Sequence, residues 1–362
     1  MYIQVKHKKE EASYKINFSK KVQEFIETQK IKYSKVALVT DTNIYSLYPK
    51  LFKNKGITVI LIKPGETSKS AKTKITIEDK LFSNGFNRKS SIIAIGGGVV
   101  GDLAGFIAST FMRGIDLFHI PTSLIAIVDS SIGGKTAIDN KFGKNLVGTF
   151  YNPKEILINL DFINTLPDKE VRQGMAEIIK YAIIKDSRLF ENLETINTKF
   201  LTNTKATIKN IIRKCINIKV HTVQEDFKEG DKRMILNFGH TVGHALEKFN
   251  NYKEAHGDCI GIGMLIEAKI STKVHNLTNS DYIRVKEILI KYKLLNLKIL
   301  NKDIKALVGL MKLDKKNKST KITFSLPKKI GIMQKKKGSF SVEINESLIK
   351  TSIKEVLDEF KN

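Results

Sequence analysis

Cysteines are few in this sequence, and its first residues do not resemble a secretion signal. The 362 residues contain two cysteines, Cys215 and Cys259. Two cysteines provide no disulfide framework of the kind found in small secreted proteins, so they fit a reducing compartment. Residues 1–6 also lack the apolar core of a signal peptide. We therefore expect a cytoplasmic protein.

Long uncharged apolar runs, which would indicate a membrane protein, are also lacking. The stretch that comes nearest, residues 91–110, contains five glycines and Asp102. A charge inside a bilayer would be costly, so a buried strand followed by a packed helix explains this stretch better. We expect no membrane partner.

Acidic residues are few, with 37 Asp and Glu against 62 Lys and Arg, which leaves a net charge of +25. Such a balance is typical of proteins that bind nucleic acids or anionic substrates. The basic residues are spread along the chain without strong clustering of arginines or aromatics. We therefore expect no nucleic-acid partner.

What the chain does contain is enough apolar sequence for two folded domains. Apolar residues make up 41% and charged residues 27%, as in globular proteins. Residues 35–40, 57–62 and 91–95 are short apolar runs typical of buried strands, with helical segments at 44–53 and 69–84 between them. This alternation predicts an α/β domain with a Rossmann-like parallel sheet that binds ligands at its carboxyl edge.

A mainly α-helical second domain is predicted after residue 150, giving domains 1–150 and 151–362. A further strand is expected at 116–120 in the first domain. In the second, the periodicity predicts a strand at 155–160, helices at 173–185, 203–223, 234–249 and 261–274, short strands within 321–344 with Pro327 and Gly338 at turns, and a closing helix at 346–360.

Residues 96–102 match the pattern Gly-x-Gly-x-x-Gly between a strand and a helix. Such a turn lets backbone amides approach a pyrophosphate. The motif alone is weak, and in an ordinary Rossmann domain it follows the first strand.

Three of the seven histidines fall close together, in residues 236–247 and shortly after them. His240 and His244 are four positions apart and would share one face of a helix, a spacing that predicts half of a divalent-metal site; His256 follows. Ordinary polar residues on an exposed helix are the alternative. Neighbouring Gly239, Gly243 and Gly257 indicate close backbone approach.

A carboxylate that would complete such a site lies upstream, in an apolar helical segment at residues 174–180. Glu177 there would be costly to bury without a compensating charge, which a cation would supply. A Glu177–Lys180 pair on a solvated face is the alternative. A glycine-rich segment that follows residue 130 is predicted to be a loop holding Lys135, Lys144 and Asn145, which suits an anion.

Together these segments resemble the 3-dehydroquinate synthase family. The resemblance rests on Glu177 with its flanks, on residues 236–247 and 256–258, and on residues 121–136 and 141–148, and it extends from about residue 41 to residue 314. Two positions depart from the family pattern: Ile127 stands where many members carry Gln, and Asp258 stands where Glu is common.

The resemblance implies a carbon–oxygen lyase with NAD and Zn²⁺ or Co²⁺ as cofactors. It would convert an anionic sugar phosphate, 3-deoxy-D-arabino-heptulosonate 7-phosphate, to 3-dehydroquinate and phosphate in the shikimate pathway. The implied steps are transient oxidation by NAD, phosphate elimination, re-reduction and aldol closure. A polyol dehydrogenase, another sugar-phosphate cyclase and a non-catalytic basic binding protein are the alternatives. The pair Lys219 and Arg233, suited to a substrate carboxylate, distinguishes among the cyclases.

The resemblance also assigns residues. The metal ligands would be Glu177, His240 and His256, which differs from the His240–His244 pair that spacing selects. The NAD site would comprise Asp41, Asn43, Glu66, Lys69, Gly97, Gly98, Val99, Asp102, Thr122, Ser123, Lys135 and Lys144. Substrate contacts would come from Asp129, Lys135, Asn145, Lys180, Lys219, Arg233, Asn237, His244 and one lysine of Lys315 and Lys316. Arg113 would reach the phosphate in the partner subunit of a homodimer. For Asp41 and Glu66, helix capping and turn formation are the alternative.

Overall fold

Short strands and helices alternate in the first part of the chain, as predicted. The structure, a computed structural model, describes residues 13–53, 56–274, 277–296, 299–312 and 321–360. Two compact units are present. Unit 1 comprises the described residues up to Pro121 together with Gly134–Asn159, and unit 2 comprises Thr122–Gly133 and the described residues from Leu160 onward. The predicted domain boundary near residue 150 stays a prediction.

Unit 1 is an α/β unit built on a parallel sheet. Its strands are β1 (Lys15–Phe18), β2 (Val36–Asp41), β3 (Thr58–Ile62), β4 (Ser91–Gly96), β5 (Asp116–Pro121), β6 (Lys135–Asn140), β7 (Gly143–Phe150) and β8 (Glu155–Ile158), and its helices are α1 (Val22–Lys32), α2 (Thr42–Leu47), α3 (Ala71–Ser83) and α4 (Gly98–Thr110). The sheet has the order β1-β8-β5-β4-β2-β3, and all its neighbouring strands run parallel.

The buried strands explain why the sheet was predictable. β2 is buried from Val36 to Thr40 and β4 throughout, as expected for parallel strands covered on both faces. Leu103 and Ile107 of α4 belong to the same apolar cluster as Val39 and Ile92. The carboxyl ends of β2 and β4 lie side by side in the sheet, so the residues that follow them share one edge.

Unit 2 is mainly helical. Its helices are α5 (Asp168–Lys185), α6 (Ser187–Thr195), α7 (Lys205–Glu225), α8 (His240–Phe249), α9 (His256–Lys273), α10 (Asn279–Lys291), α11 (Ile304–Lys312) and α12 (Glu346–Asp358), with strands β9 (Ile322–Phe324), β10 (Pro327–Lys329), β11 (Ile332–Met333) and β12 (Val342–Ile344). β9 pairs with β12 and β10 with β11, both antiparallel. The α/β and mainly helical fold class is thereby confirmed. Among the described helices, none is long and apolar enough to cross a membrane.

The predicted glycine-rich loop is wrong, because residues 135–150 form an antiparallel hairpin of β6 and β7. A Cβ at Gly148 would lie 2.0 Å from the Thr136 carbonyl oxygen. The glycine therefore permits close approach of two strands, a recognised use of glycine within sheets. Pro327 likewise begins β10 instead of occupying a turn, whereas Gly338 lies in a turn as predicted.

The predicted helix at 234–249 is interrupted. Residues Lys232–Asn237 form a 3-10 helix, and α8 begins only at His240. The reason is Gly239, whose φ of +81° is left-handed and cannot continue a right-handed helix. The helix predicted from residue 261 instead starts earlier, at His256.

Candidate active site

A buried ion pair lies in the middle of α5, where every residue from Gln173 to Ile184 is buried. Glu177 is 1% and Lys180 2% exposed, and Lys180 Nζ contacts Glu177 Oε2. The pair that spacing suggested is present, but it is buried and not on a solvated face. Burial would raise the pKa of Glu177, but Lys180 and the hydrogen bond from His240 lower it well below its usual value. The carboxylate is therefore charged.

Two histidine rings converge on that carboxylate. His240, the first residue of α8, places Nε2 3.4 Å from Glu177 Oε1, and His256, the first residue of α9, places Nε2 3.2 Å from the same oxygen. Ligand atoms of the three side chains lie within 4.8 Å of one another, and no other such group occurs in the described parts of the chain. One carboxylate and two imidazoles are donors that fit Zn²⁺ or Co²⁺, with positions left for further ligands.

His244 lies beside this group and outside it. Its ring is one helical turn from that of His240, with ring centroids 5.2 Å apart. The two histidines share one face of α8, as their spacing predicts. The ligand atoms that lie close together, however, are those of Glu177, His240 and His256.

The glycines near the histidines serve helix packing. A Cβ at Gly243 would lie 2.6 Å from Ile260 Cδ1, and one at Gly257 would lie 2.9 Å from Gln173 Cα. A Cβ at Gly239 would lie 2.5 Å from Met264 Cγ. The predicted close approach is therefore between α8, α9 and α5, which fixes the histidines relative to Glu177.

A second carboxylate, that of the partly buried Asp129, lies in a π-helical turn, Ala126–Ser130. Its Oδ1 accepts hydrogen bonds from Lys219 Nζ of α7 at 2.6 Å and from the Tyr181 hydroxyl of α5. Burial would raise the pKa of Asp129, but Lys219 and Lys180 outweigh it and lower that pKa to about 2. Burial also lowers the pKa of Lys219 to about 8, against the attraction of Asp129.

Arg233 and Asn237 belong to the 3-10 helix that precedes α8. Arg233 is 1% exposed, and its guanidinium donates hydrogen bonds to the carbonyls of Phe227 at 2.6 Å and Gly133 at 3.2 Å. Asn237 Nδ2 donates to Glu229 Oε1 at 3.1 Å. The positive charge of Arg233 lowers the pKa of Lys219, although less than burial does. The two cations are therefore close enough to interact electrostatically.

In unit 1, a strand–turn–helix arrangement fits the glycine motif. β4 ends at Gly96, Gly97 caps α4, and a Cβ at Gly96 would lie 2.5 Å from Val100 Cγ2. The start of α4 thus presents backbone amides at the carboxyl edge of the sheet, which is the geometry that binds a pyrophosphate.

Lys69, also in unit 1, is held charged by neighbouring carboxylates. Burial would lower the pKa of Lys69, but Asp102, 2.5 Å from its Nζ, and Glu66 raise it.

The sequence comparisons decide the family. Profiles of the 3-dehydroquinate synthase N-terminal and C-terminal families match residues 59–173 and 174–317. The 3-dehydroquinate synthase of Dictyoglomus thermophilum is 42% identical over 313 residues, which cover 86% of this chain and 87% of that protein. The chain belongs to the 3-dehydroquinate synthase family. The enzyme of the same name from Pyrococcus abyssi is 44% identical over 302 residues, 82% of this chain and 87% of that protein.

A solved structure supports the same assignment of fold. The 2-deoxy-scyllo-inosose synthase complexed with carbaglucose-6-phosphate, NAD⁺ and Co²⁺ is 26% identical, with a TM-score of 0.83, and the match covers 94% of this chain and 96% of that one.

The site residues predicted from the resemblance to 3-dehydroquinate synthases are divided between the two units. Unit 2 brings together the metal group and Asp129, Lys180, Lys219, Arg233, Asn237 and His244, and it includes Thr122 and Ser123. Unit 1 holds Asp41, Asn43, Glu66, Lys69, Gly97, Gly98, Val99, Asp102, Arg113, Lys135, Lys144 and Asn145. Lys315 and Lys316 lie outside the described residues. The roles of all these residues stay predictions.

Two of the unit 1 residues, Asp41 and Arg113, have informative backbone features. Asp41 Oδ1 accepts from the amides of Asn43 at 2.9 Å and Ile44 at 3.0 Å, so the capping alternative is realised for Asp41. Arg113 has a φ of +70° and follows Met112 at +51°. Left-handed backbone at non-glycine residues is strained and is often retained at functional sites.

Sequence reasoning missed Glu247 and Tyr181. Glu247 accepts a hydrogen bond from His256 Nδ1 at 3.1 Å, and Tyr181 binds Asp129. A signal for Glu247 existed, because it lies seven positions after His240 on the same helical face. Tyr181 similarly lies four positions after Glu177 on α5.

Replacing Tyr181 by phenylalanine is expected to lower both stability and kcat/KM while leaving metal content unchanged. A hydrogen bond to a charged group is worth about 1.5–3 kcal/mol, and its loss frees one constraint on Asp129. Denaturant unfolding and steady-state assays would measure the two effects. Tyr282→Phe is a matched control, since the Tyr282 hydroxyl donates to Glu359 at 3.0 Å. Equal effects of both variants on kcat/KM would show that Tyr181 has a structural role alone.

Proposed function

We propose that this chain converts 3-deoxy-D-arabino-heptulosonate 7-phosphate to 3-dehydroquinate and phosphate, as a carbon–oxygen lyase of the shikimate pathway. The observation that carries the proposal is in unit 2, where the Glu177–His240–His256 group and three buried cations, Lys180, Lys219 and Arg233, occur together. Lysine and arginine side chains gathered in this way suit an anionic ligand, and this substrate carries a carboxylate and a phosphate. The named relatives support the same activity.

The residues present fit both cofactors. Glu177, His240 and His256 would hold Zn²⁺ or Co²⁺, and the turn before α4, with Asp41, Glu66 and Lys69 nearby in unit 1, would hold NAD. When bound, NAD supplies reversible hydride transfer and the metal ion stabilises negative charge on a substrate oxygen.

The chain's own residues bind and orient the substrate. Lys219 and Arg233 bind the carboxylate, since a lysine ammonium and a bidentate guanidinium are both suited to it. His244 binds the phosphate, and Arg113 of the partner subunit in a homodimer reaches the same group. Asp129, which its low pKa keeps ionised, accepts a hydrogen bond from a substrate hydroxyl. Held in one conformation, the substrate loses little further entropy when its ring closes.

Domain and compartment assignments belong to the same proposal. We assign NAD binding to an N-terminal domain, residues 1–150, and metal and substrate binding to residues 151–362. Cys215 and Cys259 are buried and form no disulfide, which supports a cytoplasmic enzyme.

Phosphate release from two substrates tests the proposal. The purified chain with NAD and Zn²⁺ is expected to release phosphate from the heptulosonate phosphate and to form 3-dehydroquinate. It should be far slower with glucose 6-phosphate, which lacks a carboxylate. Preference for the second substrate would instead favour a sugar-phosphate cyclase of another specificity.

The pKa of Lys219 predicts a pH dependence. That pKa is about 8, so Lys219 is protonated below pH 8 and loses its charge as the pH rises through it. Because a neutral amine binds a carboxylate weakly, kcat/KM is expected to fall above about pH 8. Lys219→Arg should move the fall to higher pH, since arginine stays charged. Lys205→Arg, at an exposed position on the same helix, is the control. A profile unchanged in Lys219→Arg would contradict the assignment.

A further inference from the structure

One face of α8 carries three polar side chains. His240, His244 and Glu247 are spaced at i, i+4 and i+7, so they form a row along the helix. Glu247 is 5% exposed, and its Oε1 lies 3.1 Å from His256 Nδ1 at the start of α9. A buried carboxylate thus faces the side of His256 opposite to Glu177.

The two ring nitrogens of His256 consequently have different partners. Nδ1 faces Glu247, while Nε2 lies 3.2 Å from Glu177 Oε1 within the metal group. Both nitrogens face a carboxylate, but only the Glu177 side belongs to the group of converging ligand atoms. A metal ion held there would need the lone pair of Nε2, which leaves the proton of the neutral imidazole on Nδ1, where Glu247 accepts it. At His240 the Phe238 carbonyl lies 3.1 Å from Nδ1 and directs Nε2 in the same way.

Hydrogen bonds from α9 fix the position of the start of α8, the helix that carries this row. Glu267 of α9 is fully buried and accepts hydrogen bonds from the amides of Gly239 at 2.7 Å and Val242 at 3.2 Å, at the start of α8. A carboxylate at a helix N-terminus offsets the amides that lack helical partners. Glu247 therefore acts from a helix whose position is already set.

We propose that Glu247 is a positioning residue for the metal ion: it fixes the orientation and tautomer of His256 and makes that imidazole a stronger ligand. The inference rests on the proposed metal site. Carboxylates placed behind ligating histidines in this way typically affect metal affinity by about 10- to 100-fold. Loss of Glu247 should therefore weaken metal binding in a protein that remains folded.

Metal titration of the full chain tests this, with three variants compared to wild type. Chelator-stripped protein would be titrated with Zn²⁺ against a chromogenic competitor, and the visible spectrum of the Co²⁺ form would report ligand geometry. Glu247→Ala is expected to bind Zn²⁺ about 10- to 100-fold more weakly, with an altered Co²⁺ spectrum. Glu247→Gln keeps an acceptor oxygen without the charge, so it should recover part of the affinity and remain about fivefold weaker than wild type.

Glu254→Ala is the matched control, because it removes an exposed negative charge two positions before His256. It should bind Zn²⁺ as wild type does. Thermal unfolding of the metal-free forms checks that each variant is folded, and Glu247→Gln carries the test if Glu247→Ala does not fold. Wild-type affinity in either folded Glu247 variant would overturn the inference. Failure of wild type itself to bind Zn²⁺ would instead overturn the proposed metal site.

Discussion

Removing the metal ion with a chelator is expected to abolish phosphate release, and Zn²⁺ or Co²⁺ is expected to restore it. Glu177, His240 and His256 place three ligand atoms within 4.8 Å of one another, which leaves coordination positions for substrate oxygens. His256→Ala and His240→Ala should lose the metal and reduce activity by several orders of magnitude. Histidine variants are preferable to changes at Glu177, whose loss would leave Lys180 buried without its partner at a cost of about 3–5 kcal/mol.

His244→Ala is the internal control for this prediction. It removes an imidazole from the same face of α8, beside the ring of His240 but outside the ligand group. It should retain stoichiometric zinc and lose activity through weaker phosphate binding. If elemental analysis shows that His244→Ala loses zinc as fully as His240→Ala does, the pair selected by spacing is the metal site and our assignment is wrong.

Arg233→Ala is expected to lower kcat/KM for the heptulosonate phosphate by at least about tenfold. A charge-assisted contact of this type is worth about 1.5–3 kcal/mol, and 1.4 kcal/mol corresponds to a tenfold change in rate. The structure adds a stability effect, because the buried guanidinium also donates to the carbonyls of Phe227 and Gly133. The variant should therefore unfold at lower denaturant concentration. Arg233→Lys should recover part of the activity, since the planar fork is lost.

A substrate comparison separates recognition from folding. Wild type and Arg233→Ala would each be assayed with the natural acid and with an analogue that lacks the carboxylate. A general loss of structure slows both reactions equally, whereas loss of carboxylate binding slows the reaction of the acid alone. Equal slowing would mean that Arg233 does not recognise the carboxylate.

Much of the fold was predictable because its elements are locally encoded. β2, β4 and β5 are apolar runs of the length of buried parallel strands, and α5 and α7 have clear helical periodicity. The errors arose where one backbone angle or one close contact decides the structure. The positive φ of Gly239 ends the helix predicted from residue 234, and the strand contact at Gly148 turns a predicted loop into a hairpin.

The candidate site was predictable where its residues form short-range patterns, as His240 and His244 do. The partners of Asp129 were not, because Lys219 is 90 and Tyr181 is 52 positions away in sequence. Glu247 was overlooked because a glutamate near the end of an amphipathic helix is usually solvated. Its burial against His256 depends on the close packing of α8 and α9, which sequence spacing does not show.

Simultaneous measurement of phosphate and reduced nicotinamide tests the central claim most directly. The chain would be mixed with the heptulosonate phosphate, Zn²⁺ and NAD at a concentration well below that of the substrate. A redox-neutral lyase should release many equivalents of phosphate per NAD with no net accumulation of NADH. Formation of NADH in proportion to the substrate consumed, without phosphate release, would contradict the account and identify a dehydrogenase.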